Sequence, residues 1–139
     1  MERPKIGVMG CANIAQRLMI PAIQTMKEQW ELVGIASRTR EKADRFAQMF
    51  GCEGITGYDT LLARKDIDAI YMPLPTGLHQ EWIIKALEAG KHVYAEKSIA
   101  MTANDAQEMV DTAKEKGLAL MEGYMFQYHQ QHQIVKTLI

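Results

Sequence analysis

The feature that most narrows the fold of this chain is a change of period that repeats along its length. Short apolar runs, each the size of one strand, alternate with stretches whose apolar residues recur at helical spacing. The runs are Lys5 to Met9, Leu32 to Ser37, Asp68 to Leu74, His92 to Ala95 and Leu118 to Glu122, with a weaker one from Gly54 to Tyr58. Between them, Ile14, Leu18, Ala22 and Met26 share one helical face, where Pro21 predicts a kink. Ala43, Phe46, Ala47 and Phe50 make the next face, ended by Gly51, and Trp82, Ile83, Ala86 and Leu87 a third, closed by Gly90. Ala106, Met109, Val110 and Ala113 make a fourth, opened by Thr102-x-x-Asp105 in capping-box order. Near-continuous apolar strands separated by helices require a parallel sheet covered on both faces. The expected fold class is α/β, a doubly wound parallel sheet.

Composition agrees and removes several functions. The 139 residues are 47% hydrophobic and 24% charged, which suits one globular α/β domain with a real core. A formal net charge of −1 gives no pull toward nucleic acid or an anionic membrane. No apolar stretch approaches the roughly 20 residues that span a bilayer, and the N-terminus enters a strand without a secretory leader. Cys11 and Cys52 lack metal-ligand spacing, so no metal is expected and a reduced, cytoplasmic setting is. Ten methionines read as adaptable core filler. No repeat, linker or low-complexity tract interrupts the pattern. The final stretch, Gln130 to Ile139, has helical character and stops without Gly, Pro or cap, so the natural polypeptide is expected to continue.

The first strand leads into Gly10-Cys11-Ala12-Asn13-Ile14-Ala15, where a dinucleotide fingerprint would read G-x-G-x-x-G. Gly10 can make the tight turn, and Ala15 is small enough for close helix–strand packing. Ala12 adds a methyl where the backbone should approach a pyrophosphate; binding survives if that residue keeps φ below zero. Asn13 can cap the following helix, whose free N–H groups favour an anion. Taken alone, this stretch is equally a plain strand–helix corner.

The second strand ends Ser37-Arg38-Thr39-Arg40, with no acid before Glu41. An NAD site ordinarily places Asp or Glu here for the ribose 2′-OH. A hydroxyl followed by a guanidinium suits a 2′-phosphate, so NADP is expected over NAD. The plainer reading makes Arg38 and Arg40 solvated loop residues. After the fourth strand, Pro73 and Pro75 stiffen a loop that carries Thr76 and His79. His79 either faces water in the first helical turn or contacts a nicotinamide ribose. Glu96 and Lys97 follow the fifth strand at its carboxyl end, where ligands collect in open α/β sheets. Lys97 could supply the proton that a ketone needs on reduction, given partial burial and a nearby positive nicotinamide that lower its pKa from about 10.4; otherwise it is a surface lysine.

These residues carry a family likeness. "AEKSIA" resembles the A-E-K-P-x-A signature of the glucose–fructose oxidoreductase, inositol dehydrogenase and rhizopine-catabolism (Gfo/Idh/MocA) family. "GVMGCANIA" is similar to that family's G-x-x-G-C-[GA]-x-I-A opening, in which Ala is an accepted variant of the second glycine. "ASRTREKADRFAQMFG" resembles the segment associated with its NADP users, and "ALEAGKHVYAEK" matches the family pattern nearly letter for letter.

The resemblance implies an NAD(P)-binding Rossmann domain over residues 1–123 and, over 124–139, the start of a second, open-sheet domain whose remainder is missing. It implies a nicotinamide-dependent oxidoreductase acting on a hydroxyl or ketone of a sugar-like substrate. Lys97 matches the lysine that assists proton transfer. Gly10, Ala12, Asn13, Ile14, Ser37, Arg38, Pro75, His79, Glu96 and Lys97 match cofactor-binding positions. "LMEGYMFQYHQQHQ" resembles the version found in reductases of nucleotide-linked keto-deoxysugars, with Tyr124, Gln127 or His129 near the substrate. The parent enzyme is expected to be a homo-oligomer associating through the second domain. Ser98 departs from the family proline, removing a fixed φ beside Lys97. Two other readings stay open: a same-family dehydrogenase of a dihydrodiol, cyclitol or free sugar, and a non-catalytic nucleotide-binding module.

Overall fold

The computed structural model describes residues 3–139. Six strands form one sheet: β1 Lys5–Met9, β2 Glu31–Ser37, β3 Glu53–Thr56, β4 Ala69–Met72, β5 His92–Ala95 and β6 Leu120–Glu122. Their spatial order is β3-β2-β1-β4-β5-β6, and every pairing is parallel. All six apolar runs become strands, the weak one included. Three are shorter than their runs. β3 ends at Thr56, because Gly57 and Tyr58 already open α3. β4 stops at Met72 because Pro73 has no N–H for the ladder, and β6 begins only at Leu120 because Gly117 and Leu118 still belong to the helix cap before it.

Alternate residues of each strand serve opposite faces. Ile6, Val8, Ile35, Ala69 and Tyr71 pack with Ala15, Ile20, Ile23 and Phe46 on one side. Met9, Ala36, Ile70 and Met72 pack with Leu61, Ile83, Leu87 and Met109 on the other. The first side is covered by α1 (Ile20–Thr25) and α2 (Arg40–Phe50), the second by α3 (Tyr58–Leu62), α4 (His79–Glu88) and α5 (Ala103–Lys116); α6 (Gln130–Leu138) follows β6. Gly51 and Gly117 end their helices in the left-handed conformation, and Thr102 with Asp105 forms the expected capping box.

One predicted face is wrong. Leu18 and Met26 are exposed, and Ala15, Ile20 and Ile23 are the buried residues of the first helical segment. The segment opens with a π-helical stretch, Ala15–Met19, in which the Ile20 N–H reaches back five residues to the Ala15 carbonyl. Pro21 accounts for this: it cannot donate to residue 17, and its ring crowds that carbonyl. The ladder therefore widens by one residue, and the buried face moves from the 14-18-22-26 row to the 15-20-23 row. The helix is re-phased where a simple kink was predicted.

Coverage is uneven. On the α1 side, cover thins beyond β4: Tyr71 is buried, Tyr94 on β5 is half-buried and Met121 on β6 is exposed. Tyr71, Val93, Tyr94, Met121 and Tyr128, with Met19 and Trp30, line an apolar hollow of about 670 Å³ there. Among the described residues no helix is long and apolar enough to cross a membrane.

Burial leaves several acids reluctant to ionise. Cys52 is pushed up to about 11, mainly by burial and secondarily by the nearby Cys11. Burial also raises Cys11, Tyr58 and Tyr94, and Tyr71 by burial first and then by its bond to Glu96. As pH rises through about 8.5–10, the unfolded chain loses these protons while the folded chain keeps them, so stability falls. Lys91, lowered by burial, opposes this with a single group. Urea midpoints are expected to drop steadily from pH 8 to pH 10. Removing the Thr102 cap in Thr102→Ala is expected to cost about 1 kcal/mol at neutral pH, read from the same denaturation curves.

Candidate dinucleotide site at the carboxyl edge

Parallel strands deliver all their carboxyl ends to one edge. There, backbone bonds extend the ladder past the strands. Gly10 N–H donates to the Ala36 carbonyl at 2.9 Å, Glu96 N–H to Met72 at 3.1 Å and Gly123 N–H to Ala95 at 2.8 Å. The rim so built carries the Gly10 turn, Ser37, Glu96 and Gly123 in fixed order.

At the turn, Gly10 has φ +115°, and a Cβ there would stand 2.8 Å from Leu74 Cδ2, so the position demands glycine twice over. Among the described residues none but glycine has positive φ, so Ala12 meets the condition set for it. The expected Asn13 cap is not formed: Ile14 at the N-cap position is already helical, and no side chain caps the π-helical stretch. The first amides therefore keep their donors for another acceptor.

Beyond β2, Ser37 is buried at 5% exposure, and its carbonyl accepts from Gly57 N–H at 2.8 Å. The two arginines separate. Arg40 Nε donates to Asp44 at 2.7 Å, whereas Arg38 is exposed at the strand end and near enough to Tyr58 to favour its ionised form. Tyr58 stands edge-on to Trp82 with ring centroids 5.1 Å apart. Its hydroxyl lies 3.9 Å from where a Gly10 Cβ would be.

Pro75 is exposed at the end of the β4 loop, and it precedes a short 3₁₀ turn, Thr76–Leu78. His79 is wholly buried, so the water-facing reading fails. Its Nε2 lies 2.8 Å from the Leu74 carbonyl oxygen and its Nδ1 3.1 Å from that of Ile99. Both ring nitrogens thus address main chain, which is not the free ring that a ribose contact would use.

Glu96 is buried at 6% exposure, and its Oε1 accepts the Tyr71 hydroxyl at 2.8 Å. Tyr71 stacks on Tyr94 at 5.6 Å. Lys97 is exposed, so the partial burial expected of it is not supplied by the described residues. The Lys97–Ser98 peptide bond is cis. Ile99 N–H donates to Glu122 Oε1 at 2.7 Å, closing the loop against β6.

Tyr124, Gln127 and His129 lie on the exposed segment that leaves β6. Tyr124 meets Phe126 edge-on, and His129 Nδ1 accepts from Gln131 N–H, capping α6. Among the described residues no three His, Cys, Asp or Glu side chains gather as metal ligands would.

Sequence reading missed Tyr71, Glu122 and Gly123. Tyr71 looked like one more apolar strand residue. Gly123 is buried, and a Cβ there would press on Tyr94 Oη at 3.2 Å and on Glu96 Oε2 at 3.3 Å. A polar residue closing a strand, followed by glycine, was the available signal.

Known proteins resemble the chain throughout. The model of the oxidoreductase family with an NAD-binding Rossmann fold matches residues 4–124. A dTDP-3,4-didehydro-2,6-dideoxy-alpha-D-glucose 3-reductase of Saccharopolyspora spinosa is 51% identical over the whole chain, and a D-xylose 1-dehydrogenase (NADP(+)) of Haloferax volcanii is 36% identical over 88% of it. A 3-ketoreductase of Actinomadura kijaniata, solved with TDP-benzene and NADP, superposes over 99% of the chain with TM-score 0.94 at 45% identity. The chain spans 42% of the Saccharopolyspora reductase, 38% of the xylose dehydrogenase and 43% of the solved ketoreductase. With its parallel sheet, glycine turn and lysine at the carboxyl edge, the chain belongs to the Gfo/Idh/MocA oxidoreductase family.

Proposed function

We propose that this chain forms the cofactor-binding part of an NADPH-dependent oxidoreductase that reduces a ketone on a nucleotide-linked deoxysugar. The observation that carries the reading is the shared rim, where the Gly10 turn and the Ser37–Arg38 pair stand on the adjacent ends of β1 and β2, and the Glu96–Lys97 pair stands on the end of β5, one strand beyond β4. It is supported by four reductases of one dTDP-linked keto-deoxysugar at 40–51% identity. Residues 1–123 are taken as the nucleotide-binding unit, and Tyr124, Gln127 and His129 as the side chains presented to the sugar.

The residues suit the cofactor. The uncapped amides after Gly10 can receive a pyrophosphate, and the Ser37 hydroxyl with the Arg38 fork can receive a 2′-phosphate. Ala12 and Ile14 line the phosphate turn, while Pro75 stiffens the loop opposite. NADPH, when bound, supplies the hydride. Lys97, on the loop at the end of β5, supplies the proton that a developing alkoxide needs, and general acid catalysis of this kind contributes roughly 10²–10⁴-fold. Glu96, whose Oε1 accepts the Tyr71 hydroxyl, fixes the strand end from which Lys97 projects.

Fluorescence titration is expected to give tight NADPH binding and weak NADH binding. Arg38→Ala should weaken NADPH by about 10- to 100-fold, the worth of a charged hydrogen bond, and leave NADH unchanged. Equal loss for both cofactors would remove the 2′-phosphate role. In the full gene product, Lys97→Ala should lower kcat by about 10²-fold or more with NADPH affinity intact. Unimpaired turnover would end the proton-donor assignment.

A further inference from the structure

Lys97 stands on a loop that lacks the proline of its family signature, yet the next residue but one is held from two sides. Ile99 N–H donates to Glu122 Oε1 at 2.7 Å, and the Ile99 carbonyl oxygen lies 3.1 Å from His79 Nδ1. His79 reaches on through Nε2 to the Leu74 carbonyl at 2.8 Å. A single chain of contacts thus runs from the end of β6, through the loop after β5, to the loop after β4.

We propose that Glu122 and His79 are positioning residues for Lys97: together they grip the backbone of Ile99 from both sides and set where the lysine-bearing loop stands on the rim. The proposal rests on the reductase reading for its catalytic consequence, but the grip itself does not.

Three observations carry it. Hydrogen bonds from a backbone amide to a carboxylate are charge-assisted and among the stronger kinds available to a loop. His79 is wholly buried, so a ring nitrogen pulled from its carbonyl finds no water in exchange. The supports are also rigid. Glu122 ends a strand, the following Gly123 N–H is tied to the Ala95 carbonyl, and His79 opens α4. Ile99 itself packs on the core beneath. A side chain that must meet a reacting atom within a fraction of an ångström needs such backing from outside its own loop.

The two residues hold opposite ends of one residue's backbone, which separates their parts. Glu122 holds the side toward Lys97, whereas His79 holds the side toward α5 and couples it to the Pro75 loop. A neutral imidazole has one N–H to offer the two carbonyls, and a ring protonated on both nitrogens donates to both.

The test compares wild type, Glu122→Ala, Glu122→Gln and His79→Ala in the full gene product. Steady-state kinetics, NADPH titration and amide hydrogen exchange at Ile99 are read side by side. Glu122→Ala is expected to lower kcat by about tenfold or more, with the KM and Kd for NADPH changed less than twofold. Glu122→Gln keeps an acceptor oxygen and should recover most of that loss. The Ile99 amide should be protected in wild type and in Gln, and exchange freely in Ala. His79→Ala should lower kcat in the same way while Ile99 N–H stays partly protected.

An Ile99 amide that exchanges freely in wild type overturns the grip, whatever the variants do. A Glu122→Ala enzyme with unchanged kcat, or one whose loss lies wholly in NADPH affinity, overturns the positioning role. If wild type binds no NADPH while Ile99 protection still depends on Glu122, the reductase reading is at fault and the grip stands.

Discussion

A parallel sheet buried on both faces imposes its terms on everything else in this molecule. Each interior strand must be apolar in both directions, so Ile6 and Val8 face one helical layer while Met9 faces the other. Each connection must cross back over the sheet, which sends all six carboxyl ends to the same edge. The chain turns from winding one way to winding the other between β1 and β4. That reversal parts the loops after the two central strands and opens the crevice in which ligands of such sheets lie.

The rim divides its work between main chain and side chain. Around the glycine turn the available groups are amides, and the Leu74 methyl that bars any Cβ at Gly10 also packs the turn against the β4 loop. Around β5 the available groups are side chains, and most are already engaged. Glu96 is held by Tyr71, Glu122 by Ile99, and His79 by two carbonyls. Lys97, which follows β5, is exposed.

Much of this was legible in the residues, and the failures share a cause. Strands could be read because burial on both faces leaves unbroken apolar runs such as IGVM and AIYM. The α5 cap could be read because its partners, Thr102 and Asp105, are three residues apart. The first helix was misphased because a π turn changes the period that the reading assumes. His79 and Glu122 were misjudged or missed because their partners lie 20 and 23 residues away in sequence. Local spacing encodes local geometry. What holds the Lys97 loop is contact between segments, and pattern alone cannot supply it.

The central position of β1 has a consequence in time. Its inner edge pairs with residues 31–36, but its other edge waits for residues 69–71, and the Lys5 amide is tied to the Asp68 carboxylate at 2.7 Å. A chain emerging from the ribosome N-terminus first can assemble β1, β2 and β3 with α1 and α2 well before β4 exists. Throughout that interval the strand that bears the glycine turn is an open edge, with unpaired amides and carbonyls ready to bind any extended segment nearby. In that order of assembly β4 closes the interval by sealing the last free side of β1.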